Sequence, residues 1–298
     1  MSPRPRILDG GTATGLQAAG IAIAEPWLTS AALRDAAGTD ALVGVHAQFL
    51  RTGSDVLTAN TFRANTRALS RMGVAEDEHA DYVHRAVDCA VRARRDAAAP
   101  HALVAASVAP VEDCYTPALT PDRDALRREH RWMAGVLADS EADLVLVETQ
   151  CTRREAVIAV EAAAERGLTA WVSFVVTAEA TLPDGDALRD AARACVEAGA
   201  SAVSVNCLPH AAVPRALELL GDLGVTVGVY PNLEDRAALD EWEHSTHSLP
   251  PALSPAAFAD LAHGWATEFG LGFVGGCCGT APEHISALAA RRPAGATS

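Results

Sequence analysis

The 298-residue chain contains no lysine: all 24 of its basic residues are arginine. Schiff-base aldolases and pyridoxal phosphate enzymes rely on a lysine amine, so both chemistries are excluded. Aromatic residues are scarce, at 5% of the chain. No uninterrupted apolar run approaches the roughly 18 to 20 residues of a membrane span, and the opening MSPRPRILDG has no signal-like apolar segment. A cytoplasmic protein with no membrane partner is therefore expected. Basic clusters are missing too, and 38 acidic against 24 basic residues give a formal charge of −14. Nucleic acid is not an expected partner of such a surface.

The composition that is present, 49% hydrophobic, is that of a globular protein with a sizeable core. Eight short apolar segments recur along it: RILDG (6–10), DVLTANTF (55–62), HALVAASVAP (101–110), DLVLVETQ (143–150), AWVSFVV (170–176), AVSVNC (202–207), TVGVYPN (226–232) and GFVGGCC (272–278). Most are continuous rather than alternating, as in parallel strands covered on both faces. Between them lie alanine-rich stretches of helical periodicity, near 39–53, 76–97, 122–140, 153–167, 185–199, 211–223 and 255–269, with 282–292 closing the chain. Thr120-Pro121-Asp122 and Pro282-Glu283 are helix-start signals. No G-x-G-x-x-G follows the first strand, so these repeated βα units predict a (β/α)8 TIM barrel, one domain over 1–298, rather than a doubly wound sheet.

Active sites of such barrels gather at the C-terminal ends of the strands. Polar residues collect at those positions here: Asp9, Asn60 and Thr61, Glu148 and Thr149, Asn206 and Cys207, Tyr230 and Asn232, then Cys277 and Cys278. Long segments after the third strand (111–121) and the seventh (233–254) are candidate lids.

The seven cysteines, 89, 114, 151, 195, 207, 277 and 278, are odd in number and scattered, which argues against a disulfide framework. The adjacent pair in GGCCGT admits three readings: a strained vicinal disulfide, two buried thiols, or two metal-binding thiolates. Strands six and eight are separated by one strand, so Cys207 can converge on the pair. Three thiolates match the ligand count of a catalytic zinc site and its preference for soft donors. Neighbouring residues of a regular strand point to opposite faces. Gly275, Gly276 and Gly279 would let the backbone turn enough for both cysteines to reach one ion. Cys89 and Cys195 fall on helices and read as core. Cys114, Cys151 and the His244/His247 pair have no defined partner set.

Taken together, LDGGTATGL (8–16), FLRTGSDVLTANTFRAN (49–65), VETQ (147–150), SVNC (204–207), VYPN (229–232) and GGCCGTAPEHI (275–285) resemble the homocysteine S-methyltransferases. That family includes the betaine and S-methylmethionine enzymes and the homocysteine module of methionine synthase. The resemblance covers essentially the whole chain. It implies that Cys207, Cys277 and Cys278 bind Zn2+ and that homocysteine thiolate occupies the open position. It further implies that Asp9 and Glu148 hold the substrate amino group, with Thr61, Asn206 and Asn232 as weaker candidates for substrate contact.

The betaine enzymes place tyrosines after the second-strand T-F and after the fourth-strand glutamate. This chain has Arg63 and Thr149 there, which disfavours a quaternary ammonium donor. Arg63 suits a donor carboxylate instead, as S-methylmethionine would present, with S-adenosylmethionine also open. Two alternatives stand beside this reading: methylation of another small thiol, and a zinc- or thiol-binding barrel without turnover. The oligomeric state is left open.

Overall fold

In the computed structural model, which describes residues 4–23, 29–235 and 249–292, the eight apolar segments form eight parallel strands. They are β1 (Arg6–Ile7), β2 (Val56–Ala59), β3 (Leu103–Val108), β4 (Leu144–Gln150), β5 (Ala170–Phe174), β6 (Ala202–Pro209), β7 (Thr226–Asn232) and β8 (Phe273–Val274). Each pairs with its sequence neighbour from β2 to β8, and β8 pairs with β1. The ring closes through a Leu8–Val56 bridge, with Asp55 N donating to Ile7 O and Asp9 N to Val56 O. This is the expected (β/α)8 barrel.

Among the described residues the helices are α1 (Thr12–Ala18), α2 (Ala36–Arg51), α3 (Thr66–Arg71), α4 (His79–Asp96), α5 (Arg123–Ala138), α6 (Arg153–Glu165), α7 (Leu188–Glu197), α8 (Val213–Leu220), α9 (Pro255–Phe269) and α10 (Pro282–Ala290). Side-chain caps fix several starts: Asp35 accepts from Gly38 N, Asp122 from Ala125 N, and Ser254 from Ala257 N. Helices α1 and α3 depart from the sequence expectation. They span 7 and 6 residues, too few to show periodicity above the surrounding loops.

Two apolar layers hold the barrel. Outward-facing strand residues such as Val145, Val203 and Val205 pack against the helices. Inside, Leu8, Val56, Ala105, Leu144, Leu146, Ala202 and Phe273 fill the bore, with Trp171 stacked on Phe273 at 4.6 Å. The bore is thus a packed plug, and any cavity must lie above it, at the strands' C-terminal mouth. No helix among the described residues is long and apolar enough to cross a membrane. His244 and His247 lie outside the described residues.

Several polar residues interrupt the apolar core, and one of them is a histidine without a partner among the described residues. His46, on α2, is fully buried, and neither ring nitrogen has a hydrogen-bond partner among the described residues. Burial lowers its pKa from 6.5 to about 4, because a charged ring there would be unsolvated. The unfolded chain therefore takes up this proton first as pH falls, and the native state loses stability between 6.5 and about 4. His46→Leu is expected to flatten that acid limb by about 3 kcal/mol relative to the unsubstituted protein, measured by urea unfolding across the same pH range.

Candidate metal and substrate site

Along β6, Ala202 faces the bore while Val203 and Val205 face the helices, so strict alternation would send Cys207 outward. It does not go there. Cys207 has φ 51°, the left-handed region that a residue with a side chain enters at roughly 1–2 kcal/mol. The pairing of β6 with β7 slips between Asn206 and Pro209 at the same point. This reversal turns the thiol back over the barrel mouth, where it lines the cavity beside Cys277.

Cys277 and Cys278 do not lie on β8, as the sequence suggests. Ladder pairing ends at Val274, and residues 275–278 form a loop pinned from both sides. Gly275 N donates to Val229 O, Gly276 N to Asp9 O and Cys277 N to Pro231 O, while Cys278 O accepts from Leu233 N. A side chain on Gly276 would overlap Thr280, and Gly279 has φ 74° with Glu234 N only 2.7 Å from where a Cβ would sit. The loop can follow this path only with glycine at those positions.

The three Sγ atoms lie within 4.8 Å of one another, and Cys277 Sγ is 3.9 Å from Cys278 Sγ. Thiolates on a tetrahedral zinc with bonds of about 2.3 Å sit roughly 3.8 Å apart, so this donor set fits the ion. Cys207 and Cys277 stand in disulfide contact, their Cα atoms 5.8 Å apart. The odd and scattered cysteines argue against a disulfide framework and do not foretell this one contact. The convergence that assembles a ligand set also brings two thiols to bonding distance, and metal binding and the disulfide are mutually exclusive uses of them.

Facing the sulfurs are two buried carboxylates. Asp9, just past β1, accepts from Thr58 N at 2.7 Å and Thr58 Oγ1 at 2.8 Å. Glu148 follows the inward register of Leu144 and Leu146 on β4 and accepts from Ser107 Oγ at 2.5 Å and Tyr230 OH at 3.2 Å. Burial raises Asp9 to about 7, opposed by the Thr58 hydrogen bonds and assisted by the charge on Glu148. Burial likewise raises Glu148 to about 7, against the bonds from Ser107 and Tyr230. Desolvation outweighs the donors at both positions. An ammonium placed between them would supply the missing counter-charge.

Arg63 lines the same cavity and is 8% exposed. One guanidinium nitrogen donates to Glu112 O at 2.7 Å, another approaches Cys114 Sγ at 3.9 Å, and the group lies over the Phe62 ring. Its bonds include no carboxylate among the described residues, so this buried cation suits an anionic ligand group. Glu112 itself is held by Arg67 and Arg71, which fixes the carbonyl that Arg63 uses. Burial pushes the Cys114 thiol up to about 12 and raises that of Cys151 as well. Cys114 borders the cavity, Cys151 does not, and both are held as neutral thiols.

The remaining candidates divide. Asn232 lines the cavity and accepts from Glu234 N. Thr61 and Asn206 lie behind it, fully buried. Thr61 donates to Ser107 O at 2.7 Å, and Asn206 Nδ2 donates to Thr149 Oγ1 at 2.8 Å while its Oδ1 accepts from Thr149 N at 3.1 Å. Their polar groups are satisfied by protein and hold the wall rather than face the cavity. Thr58, Ser107 and Tyr115 border the cavity without having been singled out by the strand-end pattern, Thr58 although it lies within the 49–65 segment. The available signal for the first two is a hydroxyl inside an otherwise apolar strand segment.

A family model described as homocysteine S-methyltransferase matches residues 6–292. The chain is 30% identical to the homocysteine S-methyltransferase of Escherichia coli (strain K12), over 96% of this chain and 94% of that protein. It is 27% identical to homocysteine S-methyltransferase 1 of Brassica oleracea var. italica, over 95% and 91%. Among solved structures, the metallated form of the homocysteine methyltransferase MmuM from Escherichia coli superposes with a TM-score of 0.82, at 26% identity and 97% coverage of both chains.

The raised carboxylates set a pH signature. Their pKa values rise from 3.8 and 4.5 in the unfolded chain to about 7. The stability they contribute is therefore fully present below about pH 4 and is lost as pH rises through 7. Asp9→Asn and Glu148→Gln, neutral throughout, are each expected to remove part of this loss. The difference from the unsubstituted protein should grow by a few kcal/mol, in order of magnitude, between those limits in ligand-free unfolding titrations.

Proposed function

The chain belongs to the homocysteine S-methyltransferase family, and from this premise we propose that it moves a methyl group from a small sulfonium donor, S-methylmethionine in the first place, to the thiol of L-homocysteine. The products are methionine and a neutral thioether. The observation that carries this reading is one cavity in which three sulfurs within 4.8 Å of one another face two buried carboxylates and a buried arginine.

Cys207, Cys277 and Cys278 are the residues that would hold Zn2+. Bound there, the ion would supply a Lewis acid that lowers the pKa of a substrate thiol at its open position. Asp9 and Glu148 receive the homocysteine ammonium, which orients the amino acid with its sulfur toward the cysteines. Ser107, Thr58 and Tyr230 hold those two carboxylates in place through the bonds they donate. Arg63 receives the carboxylate of the donor and so aims its methyl group across the cavity.

The reaction is a single displacement. An electron pair on the homocysteine sulfur forms the new S–CH3 bond while the donor's C–S bond breaks, and that bond's pair remains on the departing sulfur. The thiol proton goes to solvent. No side chain needs to act as general acid, because the leaving group departs neutral. Desolvation favours this step, since a cationic sulfonium and an anionic sulfur neutralise each other as they react. A small-molecule thiol and a sulfonium donor are thus the partners, and the reading is of a cytoplasmic enzyme.

Betaine remains disfavoured. Arg63 covers the Phe62 ring, and the Tyr230 hydroxyl is bonded to Glu148. Tyr115 borders the cavity, but one ring does not make a cage for a trimethylammonium group.

Reduced protein is expected to carry one zinc per chain by metal analysis, and Cys278→Ala to lose it along with methionine formation. Metal-free active protein, or undiminished zinc after that substitution, would sink the mechanism. In a donor panel, S-methylmethionine should outrank S-adenosylmethionine and betaine. Arg63→Ala should raise the KM for the sulfonium donor at least about tenfold with the homocysteine KM unchanged; unchanged donor kinetics would remove Arg63 from this role.

A further inference from the structure

Two residues of the site wall share an unusual backbone. Thr149 has φ 55° and Cys207 φ 51°, and each sits at a break in strand pairing, between Val147 and Gln150 for β4 and between Asn206 and Pro209 for β6. Each directly follows a residue that faces inward, Glu148 and Asn206. Each would face the helices if its strand ran on regularly, yet both border the cavity. A β-branched residue is especially uncommon in this conformation, so Thr149 must be held in place by its surroundings.

The hold is visible. The Asn206 side chain spans β5 to reach Thr149, accepting from its backbone N–H and donating to its hydroxyl, at 3.1 and 2.8 Å. Both groups are buried, so neither bond has water as a substitute. Asn206 is also the residue immediately before the thiol, at the bulge that reverses it.

We propose that Asn206 is a positioning residue that latches the two bulges together, so that the geometry of the Cys207 thiol and that of the Glu148 carboxylate are set as one unit. This rests on the reading of Cys207 as a metal ligand and Glu148 as part of the ammonium site. The latch couples the two ends of the acceptor amino acid. A shift of the β6 bulge that moves the thiol also moves Thr149, and with it the backbone that presents Glu148. Supporting contacts of this kind typically alter metal affinity 10- to 100-fold when removed.

The test uses cobalt(II) in place of zinc on reduced protein, because thiolate-to-cobalt charge-transfer bands report the ligands without turnover. Homocysteine KM is measured in parallel on the zinc-loaded enzyme. Asn206→Ala is expected to weaken cobalt affinity at least tenfold, alter the thiolate bands and raise the homocysteine KM at least tenfold, while the donor KM stays within about twofold. Thr149→Val, which keeps the shape and loses one of the two bonds, should move the same two quantities several-fold. Thr149→Gly added to Asn206→Ala should recover part of both, since glycine adopts φ 55° without being held.

A cobalt spectrum, cobalt affinity and homocysteine KM all unchanged in Asn206→Ala overturn the proposal. So does a change in only one of metal affinity and KM, because the latch requires both. If Asn206→Ala does not fold, Thr149→Val decides alone, by the same pair of readouts. Failure of the underlying reading looks different: the unsubstituted protein would then show no thiolate–cobalt bands at all.

Discussion

The constraint on which the site depends is the meeting of three sulfur atoms carried by segments that do not neighbour one another in the barrel. Regular strands cannot achieve it, since alternation would point one of any two adjacent cysteines away and would turn Cys207 toward the helices. The chain answers with two departures from regularity: a left-handed residue at the end of β6 and a glycine-lined loop in place of the end of β8. The disulfide contact of Cys207 with Cys277 expresses the same closeness. Thiols gathered tightly enough to share an ion are gathered tightly enough to oxidise.

Electrostatics divide the cavity into complementary regions. Two carboxylates made costly to ionise by burial stand in one part of it, and a guanidinium bonded to a backbone carbonyl and near a thiol stands in another. An amino acid with its ammonium at one region and a sulfonium amino acid with its carboxylate at the other would neutralise both. The lack of lysine fits this division, because an Arg cation keeps its charge in a buried place where an amine could shed it.

Much of this was legible in the chain itself, and the reasons are physical. Eight continuous apolar runs spaced by alanine-rich helices leave little choice but a barrel, and Cys207, Asp9 and Glu148 are recognisable as strand-end residues once the runs are seen. Helices α1 and α3 are too short to be distinguished by pattern. Thr61 and Asn206 stand at the expected height, but their polar groups are taken up by Ser107 O and by Thr149, pairings between strands that no single segment reveals. Ser107 and Thr58 escape notice for a similar reason: a lone hydroxyl in a strand acquires meaning only from the carboxylate that the fold brings opposite it.

The loop at 275–278 deserves a different description from that of an attachment on the barrel rim. Its amides donate in turn to the β7 side, to Asp9 beyond β1 and again to the β7 side, which continues the wall beyond the two-residue β8 ladder. The thiols are therefore carried by a stave of the barrel. Lengthening or shortening this segment by one residue would shift its contacts with both neighbouring staves at once, so its length is fixed by the two walls it joins.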